Sequence, residues 1–252
     1  MKITSSLTSI NSLMSLKRIL NIEFLTIFEF GSRYGEDTVE FARINPDATI
    51  YAFECNSKTV DKCRINIEKF NNIIFTNTAI GNTEGEIDFY SIDENNTLSD
   101  WPDGNQGASS LLEANKSYHA EKYSQTKITV PITTLRKFLS SNNISEISLL
   151  WMDIQGAEKL ALEGLGDRIH DVKLIHLEVE FKEVYKNQPL FMEMNRFFSE
   201  NNFILLGFTN LGRSAGDAVY LNRNIEGRNI LFARIYLLFR LLKVKVKNYF
   251  VL

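Results

Sequence analysis

The feature that most constrains the fold is a pair of short apolar runs, LTIFEF (Leu25–Phe30) and TIYAFE (Thr49–Glu54), flanking a helical pattern over Glu36–Arg43. Both runs are too short for a buried helix and apolar at successive positions, as strands covered on both faces are. Glu36 and Asp37 suit the positive end of the intervening helix, and Pro46 ends the connection. Two such strands joined through a helix form a βαβ unit, with a glycine turn after the first strand. The alternation continues downstream. A helix capped by Ser57 is expected through Phe70, then strand material at Asn72–Ile80 and a hairpin strand at Glu86–Ile92. ITVPITTLRKFLSSNN (Ile128–Asn143) reads as a strand, a corner at Pro131 and a helix. Strands are expected at Ser148–Asp153, Val172–Glu180, Phe203–Phe208 and Asp217–Leu221, and helices at Gly156–Leu165 and Leu190–Asn201. Such alternation predicts an α/β chain with a doubly wound, mostly parallel sheet.

Composition narrows the function classes. In the 252 residues, 44% are hydrophobic and 23% charged, enough apolar material for a sizeable core. No apolar run approaches the roughly 20 residues of a membrane span. The first 20 residues lack a continuous apolar segment and a cleavage site, so a cytoplasmic chain is expected. Cys55 and Cys63 form no CxxC pair, which fits a reducing compartment and no structural zinc. Net charge is −3, against the broad basic footprint of a nucleic-acid binder. The charge is uneven: of 28 cations, Arg228, Arg234, Arg240, Lys243, Lys245 and Lys247 lie in the last 26 residues, and all 31 acids lie before them. Within that tail Ile230, Leu231, Ile235, Leu238 and Leu242 recur at helical spacing, widened by Phe232, Tyr236 and Phe239. A basic amphipathic helix over 227–252 is therefore expected, lying on the inner face of a membrane, on its own body or against a second subunit. Residues 1–24 are expected to form a helical extension and 25–226 the main domain.

Three constellations carry candidate chemistry. In Glu29-Phe30-Gly31-Ser32-Arg33-Tyr34-Gly35 the glycines let a ligand approach the end of the first strand. Arg33 occupies the place of a GxGxxG glycine, which disfavours a pyrophosphate and a nicotinamide-dependent oxidoreductase. Glu54 ends the next strand, where a carboxylate accepts ribose hydroxyls or is simply solvated. Asp153, in Trp151-Met152-Asp153-Ile154-Gln155-Gly156, ends a buried strand and is either a helix cap or a site residue. His176, Glu178 and Glu180 share one face of a strand by the two-residue period. His119 and His170 read as surface residues. Glu94–Lys127 is long, polar and aperiodic; with Trp101, Tyr118 and Tyr123 for stacking and Gly104 and Gly107 as hinges, it is expected to be a lid over a substrate.

Taken in order, FEFGSRYGEDT, IYAFECN, NQGASSLL, ITVPITTLRKF, LLWMDIQGAE and IHLEVEFKEVYKNQPLF resemble the FkbM family of S-adenosylmethionine-dependent methyltransferases. The resemblance runs from about Leu25 to Asn222, with GASSL and DIQGAE its more specific motifs. It implies a class I methyltransferase fold, a Rossmann-like seven-stranded sheet with an antiparallel last strand. It also implies O-methylation of a sugar, polysaccharide or polyketide-type acceptor. By position, Gly31, Ser32 and Gly35 would cradle the methionine part of the cofactor, Glu29 would face its ammonium, and Glu54 would hold the ribose. Thr78 and Ala79 would lie near adenine, and Asp153 beside the methyl-transfer point. Arg33 stands where family members often carry a small or amide residue. For the proton leaving the acceptor hydroxyl the expected acceptors are Asp153, then Glu178, then His176. No metal ligand set is evident. The alternative to an enzyme is a binding or scaffold protein that keeps the fold without the chemistry.

Overall fold

The computed structural model describes residues 2–115, 122–225 and 229–249. In chain order these form α1 (Lys2–Leu20), β1 (Thr26–Phe30), α2 (Glu36–Ile44), β2 (Thr49–Phe53), α3 (Ser57–Ile67), β3 (Ile73–Thr76), β4 (Ala79–Gly81), β5 (Gly85–Ile92), β6 (Gln125–Thr134), α4 (Leu135–Ser141), β7 (Ile147–Met152), α5 (Glu158–Glu163), β8 (Val172–Glu180), α6 (Phe191–Glu200), β9 (Phe203–Leu211), β10 (Ala215–Asn222) and α7 (Ile230–Tyr249).

Seven strands make the main sheet, in the order β3-β2-β1-β7-β8-β10-β9. β3, β2, β1, β7 and β8 are mutually parallel, and β10 runs antiparallel to both β8 and β9. This is the class I methyltransferase topology, with the last strand of the chain inserted antiparallel. The strand order reverses between β1 and β7, so the loops after them diverge and open a crevice at their carboxyl ends.

Why these segments are strands is visible in their burial. Every residue of β7 is buried, and only Thr26 of β1 is partly exposed. One face of the sheet carries Phe28, Phe30, Leu150, Met152 and Ile175 against α4, α5 and α6. The other carries Ile27, Leu149, Trp151 and Leu174 against α1, α2 and α7. Complete burial of each such side chain contributes about 1.5–3 kcal/mol. α1 joins this second layer because Ile10, Leu13, Leu16 and Leu20 fall on one helical face and are all buried.

Several local expectations are corrected. Asn56, not Ser57, caps α3, its side chain accepting the Lys58 N–H at 3.2 Å. The strand expected over Asn72–Ile80 is two strands in different sheets, because the chain leaves the main sheet at Asn77-Thr78. β4, β6 and β5 form a second, three-stranded sheet that sequence reading missed. β6 continues through Pro131 without a corner; β4 pairs only with Ile132–Thr134, so the proline stands outside that ladder.

Candidate active site

The glycine turn after β1 is held by its neighbours. Gly31 and Ser32 N–H both donate to the Phe53 carbonyl at 3.0 Å, which fastens the turn to the end of β2. Gly31 has φ +83, and a Cβ there would lie 2.1 Å from the Asp153 carbonyl oxygen, so only glycine lets the turns after β1 and β7 come together. Gly35, expected to cradle the cofactor, does not line the cleft. It turns the chain into α2 and packs on α3, where a Cβ would meet Ile67 at 2.9 Å.

Glu54 sits 8% exposed at the end of β2. Its two carboxyl oxygens accept the N–H groups of Arg33 and Asn56, each at 2.7 Å, which fixes its rotamer. Burial pushes its pKa up to about 7, opposed by those backbone donors. Only the ionised carboxylate accepts two ribose hydroxyls at full strength. Affinity for an adenosine ligand is therefore expected to rise between about pH 6 and pH 8 as Glu54 ionises, with Glu54→Gln showing a flat profile. Calorimetric titrations across that range check it. Glu29 lies deeper, hydrogen-bonded by the Thr38 hydroxyl, and burial together with Asp37 raises its carboxyl well above the ordinary range.

The DIQGAE segment forms the opposite wall. Asp153 is not a helix cap: Ala157 occupies the position before α5, and the Ile154 N–H is taken by buried Glu158 at 3.0 Å. Gln155, in left-handed conformation at φ +57, donates its amide to Asp153 at 2.5 Å and to Glu178 at 3.1 Å. Its amide oxygen accepts from the Tyr185 hydroxyl at 3.0 Å. A neutral amide thus bridges the two carboxylates. Among the described residues no group of three or more His, Cys, Asp or Glu is placed to hold a metal ion.

His176 is buried, stacked on Trp151 at 4.0 Å and hydrogen-bonded through Nε2 to Thr209 at 2.8 Å. Desolvation pulls its pKa down to about 3, which makes it a neutral wall residue and a weak proton acceptor. Glu180 is buried, and desolvation and neighbouring acids push its pKa up to about 10. His170 is exposed, whereas Tyr118 and His119 lie outside the described residues.

These walls enclose two adjoining spaces. A narrow cleft of about 60 Å³ runs past Gly31, Glu54, Thr78, Ala79 and Asp153. A chamber of about 390 Å³ is lined by Glu29, Gly31, Ser32, Glu36, Asp37, Trp101, Asp153, His176, Glu178 and Asp217. Gly31, Arg33, Gly107 and Asp153 line both. The roof is the GASSL segment, and its ties are long-range. Ser109 accepts from Asn56 at 3.1 Å, Ser110 donates to the Gln155 carbonyl at 2.7 Å, and Tyr185 donates to the Ala108 carbonyl at 2.8 Å. Asn56, Gln106, Ser109, Gln155 and Tyr185 were not singled out from sequence. The GASSL and DIQGAE motifs were the only signal for them, without a role attached.

Three acids thus gather around the glycine turn: Glu29 near the end of β1, Glu54 after β2 and Asp153 after β7. The sequence profile of the methyltransferase FkbM domain matches residues 29–205. The chain belongs to this family. FkbM-domain methyltransferases take the methyl group from S-adenosylmethionine, so the protein is an S-adenosylmethionine-dependent methyltransferase. It is 26% identical over 166 residues to the 2-O-methyltransferase NoeI of Sinorhizobium fredii (strain NBRC 101917 / NGR234), a match covering 64% of this chain and 66% of the length of that relative. Among solved structures it is similar to the precorrin-6y C5,15-methyltransferase of Geobacter metallireducens GS-15 (TM-score 0.46, 10% identity, 84% of this chain and 87% of that one). It is also similar to Aeropyrum pernix fibrillarin with natively bound S-adenosyl-L-methionine (TM-score 0.47, 9% identity, 84% and 74%).

Proposed function

We propose that this FkbM methyltransferase transfers the methyl group to a hydroxyl of a sugar, polysaccharide or glycolipid precursor. The observation that carries the reading is Asp153, which lines both the cleft suited to the nucleoside and the larger chamber beyond it. In this reading Glu54 holds the ribose, Thr78 and Ala79 lie beside adenine, and Gly31, Ser32 and Glu29 receive the methionine end. The sulfonium already carries its leaving group, so the protein's work is alignment, worth roughly 7–11 kcal/mol when the reacting atoms are held in line. The acceptor oxygen must also lose its proton, and Asp153 takes it, with Glu178 next in order. The chamber supports a polyhydroxylated acceptor: its carboxylates accept sugar hydroxyls, and Trp101 offers a flat face for stacking. The 2-O-methyltransferase relative supports oxygen as the acceptor atom. Tritiated methyl transfer into a cell extract, followed by mass spectrometry of the labelled glycan, tests the reading against a scaffold without chemistry. No label above the Asp153→Asn background contradicts it.

We also infer that the acceptor is met at a membrane surface. α7 docks one face on its own body through Ala233 and Leu237, while Arg234 and Arg240 donate to the carbonyls of Leu205 and Thr8. The opposite face leaves Leu231, Phe232, Ile235, Leu238, Phe239 and Leu242 between 40% and 67% exposed. No described helix is long and apolar enough to cross a membrane. Besides Arg234 and Arg240, which are tied to the body, the helix sequence carries Lys243, Lys245 and Lys247 and no acid. A two-fold dimer through this face would set like charges against like, whereas an anionic bilayer neutralises them, at about 1 kcal/mol per cation near the surface. The full chain is expected to float with phosphatidylglycerol vesicles, less so as salt rises, and F232E combined with F239E should abolish flotation without unfolding. Equal flotation of both proteins, or a dimer that the double variant splits without any vesicle binding, contradicts the membrane role.

A further inference from the structure

Arg33 stands inside the glycine turn after β1, and its surroundings give it a task. Its backbone is left-handed at φ +48, and its N–H is already committed to Glu54. The side chain rises from the turn to the roof. There the guanidinium lies 4.7 Å from the Tyr34 ring and 5.1 Å from the Trp101 ring, and Nη2 donates to Asp103 at 2.5 Å. Asp103 also accepts from the Tyr34 hydroxyl at 2.8 Å. Gly107 presses so closely that a Cβ on it would lie 3.4 Å from Arg33 Cδ and Nε. Arg33 Nε, however, is buried and has no hydrogen-bond partner. A cationic N–H withdrawn from water without an acceptor is costly, and such a group in a native fold calls for an explanation.

The charges around it supply one. Among the described residues, Arg33 is the only Lys or Arg lining either the cleft or the chamber, and it lines both. The other charged side chains there are acids, Glu36, Asp37, Asp153, Glu178 and Asp217 among them. The amino-acid end of the cofactor is a zwitterion. Its ammonium has several carboxylates to choose from; its carboxylate has one cation within the lining. Four of the five glycine-turn N–H groups are spent, those of Gly31 and Ser32 on Phe53, that of Arg33 on Glu54 and that of Gly35 on Ser32.

We propose that Arg33 binds the carboxylate of the cofactor's methionine moiety through Nε while Nη2 stays on Asp103, so that the occupied site and the Trp101–Asp103 part of the roof are held by one guanidinium. This rests on the cofactor reading of the cleft given above. A guanidinium can serve both partners because its five N–H groups form a rigid planar fork.

The test compares two ligands that share the nucleoside and the thioether and differ in the amino-acid end: S-adenosylhomocysteine and 5′-methylthioadenosine. Calorimetry on the full chain is expected to show Arg33→Asn weakening S-adenosylhomocysteine by about tenfold to a hundredfold while 5′-methylthioadenosine changes by less than about twofold. Asn tolerates positive φ, so the turn is kept. Arg33→Gly, which tolerates it too, should repeat the pattern, and unchanged 5′-methylthioadenosine binding reports an intact cleft. Asp103→Asn should preserve the preference for S-adenosylhomocysteine. Equal loss for both ligands in Arg33→Asn and Arg33→Gly, or no loss for either, overturns the proposal and leaves Arg33 as a roof contact. A wild-type chain that binds neither ligand overturns the cofactor reading itself.

Discussion

Replacing Asp153 by Asn is expected to lower turnover by about a hundredfold to ten-thousandfold while the cofactor dissociation constant moves by less than about threefold. The substitution keeps shape and volume and removes the one carboxylate, among the described residues, that lines both the cleft and the chamber. Asp153, itself exposed, follows β7, which is buried throughout, and its backbone N–H donates to the Phe30 carbonyl at 3.1 Å, so the scaffold beneath it is rigid. The Gln155 amide that links it to Glu178 also limits its rotamers. Single-turnover rates with saturating cofactor measure the effect apart from binding. A rate within about threefold of wild type would mean that the proton leaves by another route, Glu178 being the nearest.

Gly31→Ala is expected to destabilise the chain by about 3 kcal/mol or more, enough to threaten folding in a protein of ordinary marginal stability. Two costs add. The residue lies at φ +83, disfavoured for any side chain, and the new Cβ would sit 2.1 Å from a backbone oxygen of the neighbouring strand end. The Asp153 carbonyl cannot move without disturbing β7, which is the centre of the sheet. Urea denaturation followed by circular dichroism checks it; a shift below about 1 kcal/mol would show that the two turns can part.

Much of this is legible in the sequence because it is local. The βαβ unit is readable from two apolar runs and an amphipathic helix, and the acids at positions 29, 54 and 153 lie at or just past the end of strands whose burial is written in consecutive residues. What could not be read depends on contacts remote in sequence. The second sheet exists because β4 finds β6 some fifty residues later, and Asn72–Ile80 offers no periodicity that would divide it. The roof was expected only as an aperiodic lid. Its place is fixed by bonds from Ser109 and Ser110 to Asn56 and Gln155. Trp101, expected to stack on substrate, also stands beside Arg33, and Tyr123 stacks on Tyr185. Gly35 misled because a glycine needed for packing against α3 looks the same in sequence as one needed for a ligand. The tail held both meanings at once: one face of α7 docks and the other stays apolar and exposed.

The cleft between β1, β2 and β7 is expected to bind the methyl donor through Glu54. Titrating S-adenosylhomocysteine into the wild-type chain and into Glu54→Ala by calorimetry tests it most directly. Saturable binding at one site in the wild type, weakened between about fivefold and a hundredfold in a Glu54→Ala protein that still folds, is the expected result. No binding by the wild type, or equal affinity in the two proteins, would contradict it.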